Sequence, residues 1–297
     1  MSSASRSFPF PRAVAALAGT VLIATVVAAT PALAATPPAV AKALRAAVNG
    51  PQRTPAFKKR DAARHPLKTL EFFGIRPGMT VIEVLPARGW YSEILAPFLH
   101  ARGQLIEASV PVNSDNPFLH KMAAAYHRKL AGNPKVYGRV RDEPFAPPAY
   151  MALGAPHSAD MVLTFRNMHD LVYANVHGEV TDRIMQRFFH SAWQVLKPGG
   201  TLGIVAHRAN PGQPVAKSHM LGRLPQAYVI REAEKAGFRL AGTSDVNANP
   251  KDPRTMAVWK LPPTLNESKQ KQAHYREIGE ADNMTLRFVK PGGKDSH

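Results

Sequence analysis

The stretch Gly78-Met79-Thr80-Val81-Ile82-Glu83-Val84-Leu85-Pro86-Ala87-Arg88-Gly89-Trp90-Tyr91-Ser92-Glu93-Ile94-Leu95-Ala96-Pro97-Phe98-Leu99 decides the fold. Thr80 to Leu85 is a β-branched run of strand length, and from Trp90 the apolar residues fall at Trp90, Ile94, Leu95 and Phe98, which is helical spacing. A strand therefore passes into a helix across Pro86 to Gly89. In an open α/β sheet such a turn lies at the carboxyl edge, where ligands bind, and the N–H groups opening the helix attract a carboxylate or phosphate.

The order acidic residue, tight turn, glycine, helix resembles motif I of the class I S-adenosylmethionine-dependent methyltransferases. More closely, Glu83 to Pro97 is similar to a subgroup of predicted bacterial exported methyltransferases with the pattern E-x-x-P-G-x-G-W-Y-x-E-I-L-A-P. The resemblance implies a Rossmann-like α/β fold: a seven-stranded, mostly parallel sheet with helices on both faces and an antiparallel last strand. It implies S-adenosylmethionine as cofactor, held by Glu83, Pro86, Ala87, Gly89, Trp90 and Tyr91, with Glu107 or Asp142 beside the nucleoside. Ala87 stands where the pattern has glycine, and Leu85 and Pro86 where other class I enzymes have small residues. A positive φ at Ala87 carries a strain of roughly 1–2 kcal/mol.

Toward the amino end, Lys58 to Phe73 reads as a helix interrupted near Pro66, with Gly74 as its stop. In the resembling enzymes a helix here leans over the cofactor pocket, which puts Arg60, Asp61, Arg64 and His65 either at that pocket or on a solvated face. Residues 35–55, rich in Ala and Pro, read as a flexible lead-in with a short helix at Val40 to Val48. Residues 1–34 carry Arg6 and Arg12, an apolar run from Ala13 to Ala29, and Ala32-Leu33-Ala34. This is the three-part pattern of a cleavable signal peptide, which implies export to the periplasm and no membrane span after cleavage; an uncleaved anchor is the alternative. Residues 56–297 then form a single methyltransferase-like domain.

The 297 residues contain no cysteine, which excludes disulfides, thiolate nucleophiles and cysteine-ligated metals. A formal charge of +17 favours acidic partners. The basic residues are scattered and no specific nucleic-acid signature accompanies them, so a small-molecule substrate is expected.

Toward the carboxyl end, Gly103 to Val110 reads as the second strand. Glu107 lies two residues before Ser109 at the strand's end and, by period-two alternation, on the same face. Asn116 to Leu130 reads as a helix with Phe118, Leu119, Met122, Tyr126 and Leu130 on a core face, and Lys135 to Val140 as the third strand. Arg141-Asp142-Glu143-Pro144 resembles an acidic turn near adenine. Asp160 opens a buried strand from Met161 to Phe165, followed by Arg166-Asn167-Met168-His169-Asp170. The same subgroup has V-L-T-F-R-N-x-H here. Polar groups crowded at a carboxyl edge are either solvated or aimed at a ligand. Arg166 suits bidentate binding of a carboxylate or phosphate, Asn167 orientation of a polar group, and His169 general-base work.

His177 to Leu196 reads as a helix joined by Lys197-Pro198-Gly199-Gly200 to a fifth strand, Thr201 to His207, a join that recurs in the resembling fold. Ala209 to Leu224 reads as a substrate-covering insertion. His207 and His219 lack the helical spacing of a zinc pair, so no metal is expected. A helix from Tyr228, a strand from Phe238, an added edge strand at Met256 to Leu261, a polar helix at Glu267 to Ile278 and a last strand at Met284 to Val289 complete the pattern. Two functions fit these residues: a methyltransferase acting on a small anionic acceptor, and an exported non-catalytic binding protein that keeps the fold.

Overall fold

The computed structural model describes residues 35–174 and 180–292. The expected signal peptide and the first residues of the helix expected from His177 lie outside the described residues. Among the described residues no helix is long and apolar enough to cross a membrane.

Seven strands form one sheet: β1 (Thr80–Val84), β2 (Gln104–Ser109), β3 (Arg141–Pro144), β4 (Ala159–Phe165), β5 (Leu196–His207), β6 (Arg239–Ser244) and β7 (Asn283–Val289). Their order is β3-β2-β1-β4-β5-β7-β6. The first five run parallel, and β7 inserts antiparallel between β5 and β6. This is the sheet that the resemblance implies. The helices of eight residues or more are α1 (Pro38–Asn49), α2 (Pro66–Phe73), α3 (Ser92–Leu99), α4 (Pro117–Gly132), α5 (Arg183–Val195), α6 (Gln226–Lys235) and α7 (Lys269–Ile278).

Period-two alternation along the buried strands makes two cores, one on each face. Ile82, Val84, Val162, Leu202 and Ile204 face α5 and α6, where Ile184, Phe188, Phe189 and Val229 cover them. Val81, Leu105, Met161, Leu163 and Val205 face α1, α2 and α3, under Leu44, Leu70, Ile94 and Leu95. Burying each such side chain stabilises the fold by about 1.5–3 kcal/mol. Gly203 permits the close seating of α2: a Cβ there would meet the Phe73 ring at 2.8 Å.

Four expectations change. Residues 35–55 hold a packed helix instead of a flexible lead-in, because Leu44, Ala47 and Val48 on α1 have an apolar face of α3 to cover. Residues 134–137 form a helical turn, not the third strand. Pro134 presets its φ, and Val136, Tyr137 and Val140 follow helical spacing and pack toward α3. The third strand is Arg141–Pro144, a charged edge bonded to β2 alone. Residues 256–261 make a 3₁₀ turn at Val258–Lys260 instead of an edge strand. Last, α4 buries only Ala123 and Tyr126; Phe118 is 71% exposed, so the face expected in the core lines a cleft.

Candidate functional site

A cleft of about 750 Å³ opens at the carboxyl edge, over the ends of β1, β2, β4 and β5. Its floor is the β1–α3 loop. Leu85, Ala87 and Gly89 take positive φ of 54°, 53° and 74°, so the chain follows a left-handed path even where the side chains are not glycine. Three further hydrogen bonds hold it: Leu85 N–H donates to Ala108 O at 2.8 Å, and the Asn167 amide donates to Val84 O at 2.9 Å and Leu85 O at 3.2 Å. Thr164 Oγ1 donates to the same Asn167 side chain. Asn167 is buried, still lines the cleft, and spends its amide N–H groups on the Val84 and Leu85 carbonyls, so it ties the end of β4 to the loop. Strained non-glycine residues gathered at one place mark sites where the surrounding structure holds a geometry for use.

Beneath the loop, Glu83 and Glu107 are register partners on adjacent parallel strands, 3% and 0% exposed. Ser92 Oγ donates to Glu83 Oε2 at 3.0 Å and lies 3.1 Å from the Tyr126 hydroxyl. Burial lifts Glu83 to about 7, against the opposing influence of Ser92, Glu107 and Lys129. Burial and then the Glu83 charge push Glu107 well above the carboxylate range. At neutral pH this pair retains a proton. Glu107 stands behind the cleft wall, and the cleft instead meets Ser109 and Val110 at the end of β2. Asp142 is likewise set back: its Oδ1 accepts from Ser109 Oγ at 2.6 Å, and His127 lies 3.0 Å from its other oxygen.

The helix opening is packed from the amino-terminal side. Trp90 donates through Nε1 to Phe57 O at 3.2 Å, with the guanidinium groups of Arg53 and Arg64 over its ring at 4.8 and 4.9 Å. Tyr91 stacks on Phe165 with centroids 3.5 Å apart. Glu93, buried in the first turn of α3, accepts from Thr54 N at 2.8 Å and from Lys129 Nζ at 2.6 Å.

The opposite wall is cationic. Glu280 accepts from Arg60 Nε and Nη2 at 2.6 and 2.8 Å and from Arg64 Nε at 3.2 Å. Burial alone would raise the Glu280 carboxyl, but Arg60, Arg64 and Arg166 outweigh it and hold it low. Burial, then the charge of Arg166, bring Arg64 down to about 9 despite Glu280. Arg166 has a positive φ of 66°, and its N–H donates to Val205 O at 2.6 Å. Its Nη2 reaches Asn247 Oδ1 at 3.4 Å, while buried Nε and Nη1 have no hydrogen-bond partner. Of the four polar residues expected from the helical segment before α2, the cleft takes Arg60 and Arg64; Asp61 is bound to Arg53 at 2.8 Å and His65 lies outside the lining.

Two imidazoles complete the wall. His169 and His207 have ring centroids 5.9 Å apart. Burial lowers His169, with Asp170 opposing and His219 adding to the effect. Burial, His169 and Arg166 bring His207 well below its ordinary value. Both are neutral at pH 7, and His169, which Asp170 supports, is the better proton acceptor of the two. His207 was missed as a site residue. Its signal was available: β5 pairs in parallel with β4, Phe165 opposite Val205, so a residue two positions on shares an edge with Asn167.

No protein-family model matches the sequence, and no curated protein matches it. Solved structures do resemble the fold. A SAM dependent methyltransferase from Aquifex aeolicus has a TM-score of 0.50 at 16% identity, covering 79% of this chain and 97% of that one. The [4+2]-cyclase SpnF has a TM-score of 0.52 at 15% identity, covering 86% and 93%. The chain thus has the Rossmann-like fold of class I methyltransferases.

Proposed function

We propose that this chain is an S-adenosylmethionine-dependent methyltransferase acting on a small anionic acceptor, with the carboxyl-edge cleft as its active site. One observation carries the reading: a loop of motif I type, held on a left-handed path, faces a cationic wall that also holds two neutral imidazoles. The residues fit the cofactor. The cleft volume lies within the range of sites that enclose such molecules. Gly89, Ala87 and Pro86 would hold its methionine part, Ser109 its ribose in the position the resemblance gives to Glu107, and Val110, Leu119 and Met122 its base. When bound, the cofactor supplies a methyl group made electrophilic by its sulfonium.

The chain's own residues then have defined work. Arg166 holds the acceptor's charge, Asn167 fixes the loop, and His169 takes the proton that an oxygen or nitrogen acceptor must lose. Alignment of acceptor and methyl provides most of the acceleration, since proximity alone is worth about 7–11 kcal/mol in well-oriented systems. The three-part pattern of residues 1–34 supports export, and we place the mature chain in the periplasm.

The test is formation of S-adenosylhomocysteine by the full chain with a panel of small carboxylates and phosphates and their neutral amides and alcohols. The reading expects turnover with anionic members and little with neutral ones. Turnover with none, or a preference for the neutral set, contradicts it.

A further inference from the structure

Arg64 and Arg166 come from distant parts of the chain, the segment before α2 and the end of β4, and meet at one wall of the cleft. Among the described residues Glu280 is the carboxylate in contact with the cluster, and its two oxygens already accept three hydrogen bonds from Arg60 and Arg64. One negative charge thus faces three guanidinium groups. The excess sits at Arg166, whose Nε and Nη1 are buried without a partner. The Tyr91 hydroxyl stands beside this guanidinium without a well-formed hydrogen bond to it. Leaving such donors unmade is costly, and bringing like charges together adds to the cost. The fold nevertheless enforces both. Arg166 is held in a left-handed backbone conformation, and Asn247, which receives its third nitrogen, is itself fixed by Thr69 and Thr285 at 2.9 Å each.

We propose that Arg64 and Arg166 form an oxyanion subsite that binds the carboxylate or phosphate of the acceptor. An oxyanion in the cleft supplies the missing negative charge and, once side-chain movement uncovers Nε and Nη1, the missing acceptors, and a guanidinium fork matches its geometry. The subsite adjoins the imidazoles: Arg166 N–H donates to Val205 O, two residues before His207, and Arg166, His169 and His207 line one cleft, so the anion is assigned to the molecule whose proton His169 takes. The acceptor is then a small molecule with an oxyanion at one end and a protonated oxygen or nitrogen at the reacting end. Val258 and Trp259 line the same cleft, which suits an apolar body between the two. The location of the subsite deepens the methyltransferase reading, but its existence does not depend on it.

The experiment uses the full chain and inorganic phosphate at low ionic strength, followed by calorimetry. Saturable binding is expected, weakened about tenfold or more by Arg166→Gln, the loss typical of a charged hydrogen-bonded partner. Arg64→Gln should do the same and serves if the first variant fails to fold. Arg276→Gln, on the exposed face of α7, should leave it within about twofold. Absence of saturable binding, or equal weakening in all three variants, overturns the proposal, the latter by showing attraction to net charge alone. A second arm locates the source of the anion. Phosphate binding that survives saturation with S-adenosylhomocysteine supports the acceptor. Competition by S-adenosylhomocysteine but not by methylthioadenosine, which lacks the amino-acid carboxylate, overturns that assignment and gives the subsite to the cofactor. Phosphate binding with no binding of S-adenosylhomocysteine would sink the methyltransferase reading and leave the oxyanion subsite standing.

Discussion

Gly89 and Ala87 stand two residues apart in one loop, both with positive φ, and respond to substitution in opposite ways. A Cβ at Gly89 would lie 2.7 Å from Tyr126 Cε2. Gly89→Val therefore combines left-handed strain with displacement of Tyr126, and should cost about 2 kcal/mol or more and abolish cofactor binding in a chain that still folds. Ala87→Gly relieves strain of about 1–2 kcal/mol while freeing the unfolded chain by about 0.4–1 kcal/mol, so thermal unfolding should show a small gain and no loss. His169→Ala should slow transfer about 10²–10⁴-fold yet leave S-adenosylhomocysteine affinity within about threefold; equal losses would make it a structural residue. Because burial holds the imidazole below its ordinary value, the wild-type rate should stay level as pH falls through 6.5 and decline only below it. At this scale the sequence pointed to Arg166 and His169, whose residue types declare their chemistry, and the structure places both at the cleft. The role of Asn167 was hidden because it depends on which carbonyls β1 presents across a strand boundary. Glu107 was hidden because a two-residue difference in where β2 ends decides whether it or Ser109 meets the cleft.

Two elements carry predictions of their own. Helix α1 is part of the core, so Leu44→Ala should destabilise the protein by about 2–5 kcal/mol, measured by denaturant unfolding. A change under about 0.5 kcal/mol would mean that the segment is a loose lead-in after all. Across β1 and β2, the Glu83–Glu107 pair links stability to pH. Both carboxyls are raised in the native state, Glu83 from 4.5 to about 7 and Glu107 further. Between 4.5 and 7 the native chain therefore binds more protons than the unfolded one, and this pair's contribution is full below 4.5 and is lost as pH rises. Glu107→Gln keeps the side chain's shape and removes a buried carboxyl that has to hold its proton in the native state. It should flatten that slope and add about 1–3 kcal/mol at pH 8, and an unchanged slope would contradict the pairing. Buried strands were legible because periodicity is local; Lys197-Pro198-Gly199-Gly200, expected as a turn before the fifth strand, lies instead within β5, where it makes the irregularity in the pairing with β4. The third strand was not legible: an edge strand bonded on one side needs no apolar run, and Arg141–Pro144 has none.

For the whole molecule, the sheet order brings the site together from segments far apart in the chain. The loop after β1 and the ends of β2, β4 and β5 meet because these strands are parallel neighbours, and Glu280 joins them because β7 runs antiparallel and so begins at the same edge. Pairwise assembly of this kind leaves little trace in one sequence, which is why the cationic wall was visible only in part. The fold is shared with a methyltransferase and with a cyclase, so the fold alone does not select the reaction; the cleft does. Calorimetric titration of residues 35–297 with S-adenosylmethionine and S-adenosylhomocysteine tests that claim most directly. The account predicts binding of both with dissociation constants on the order of micromolar, about −8 kcal/mol. A folded sample that binds neither up to about millimolar, roughly −4 kcal/mol, would contradict it.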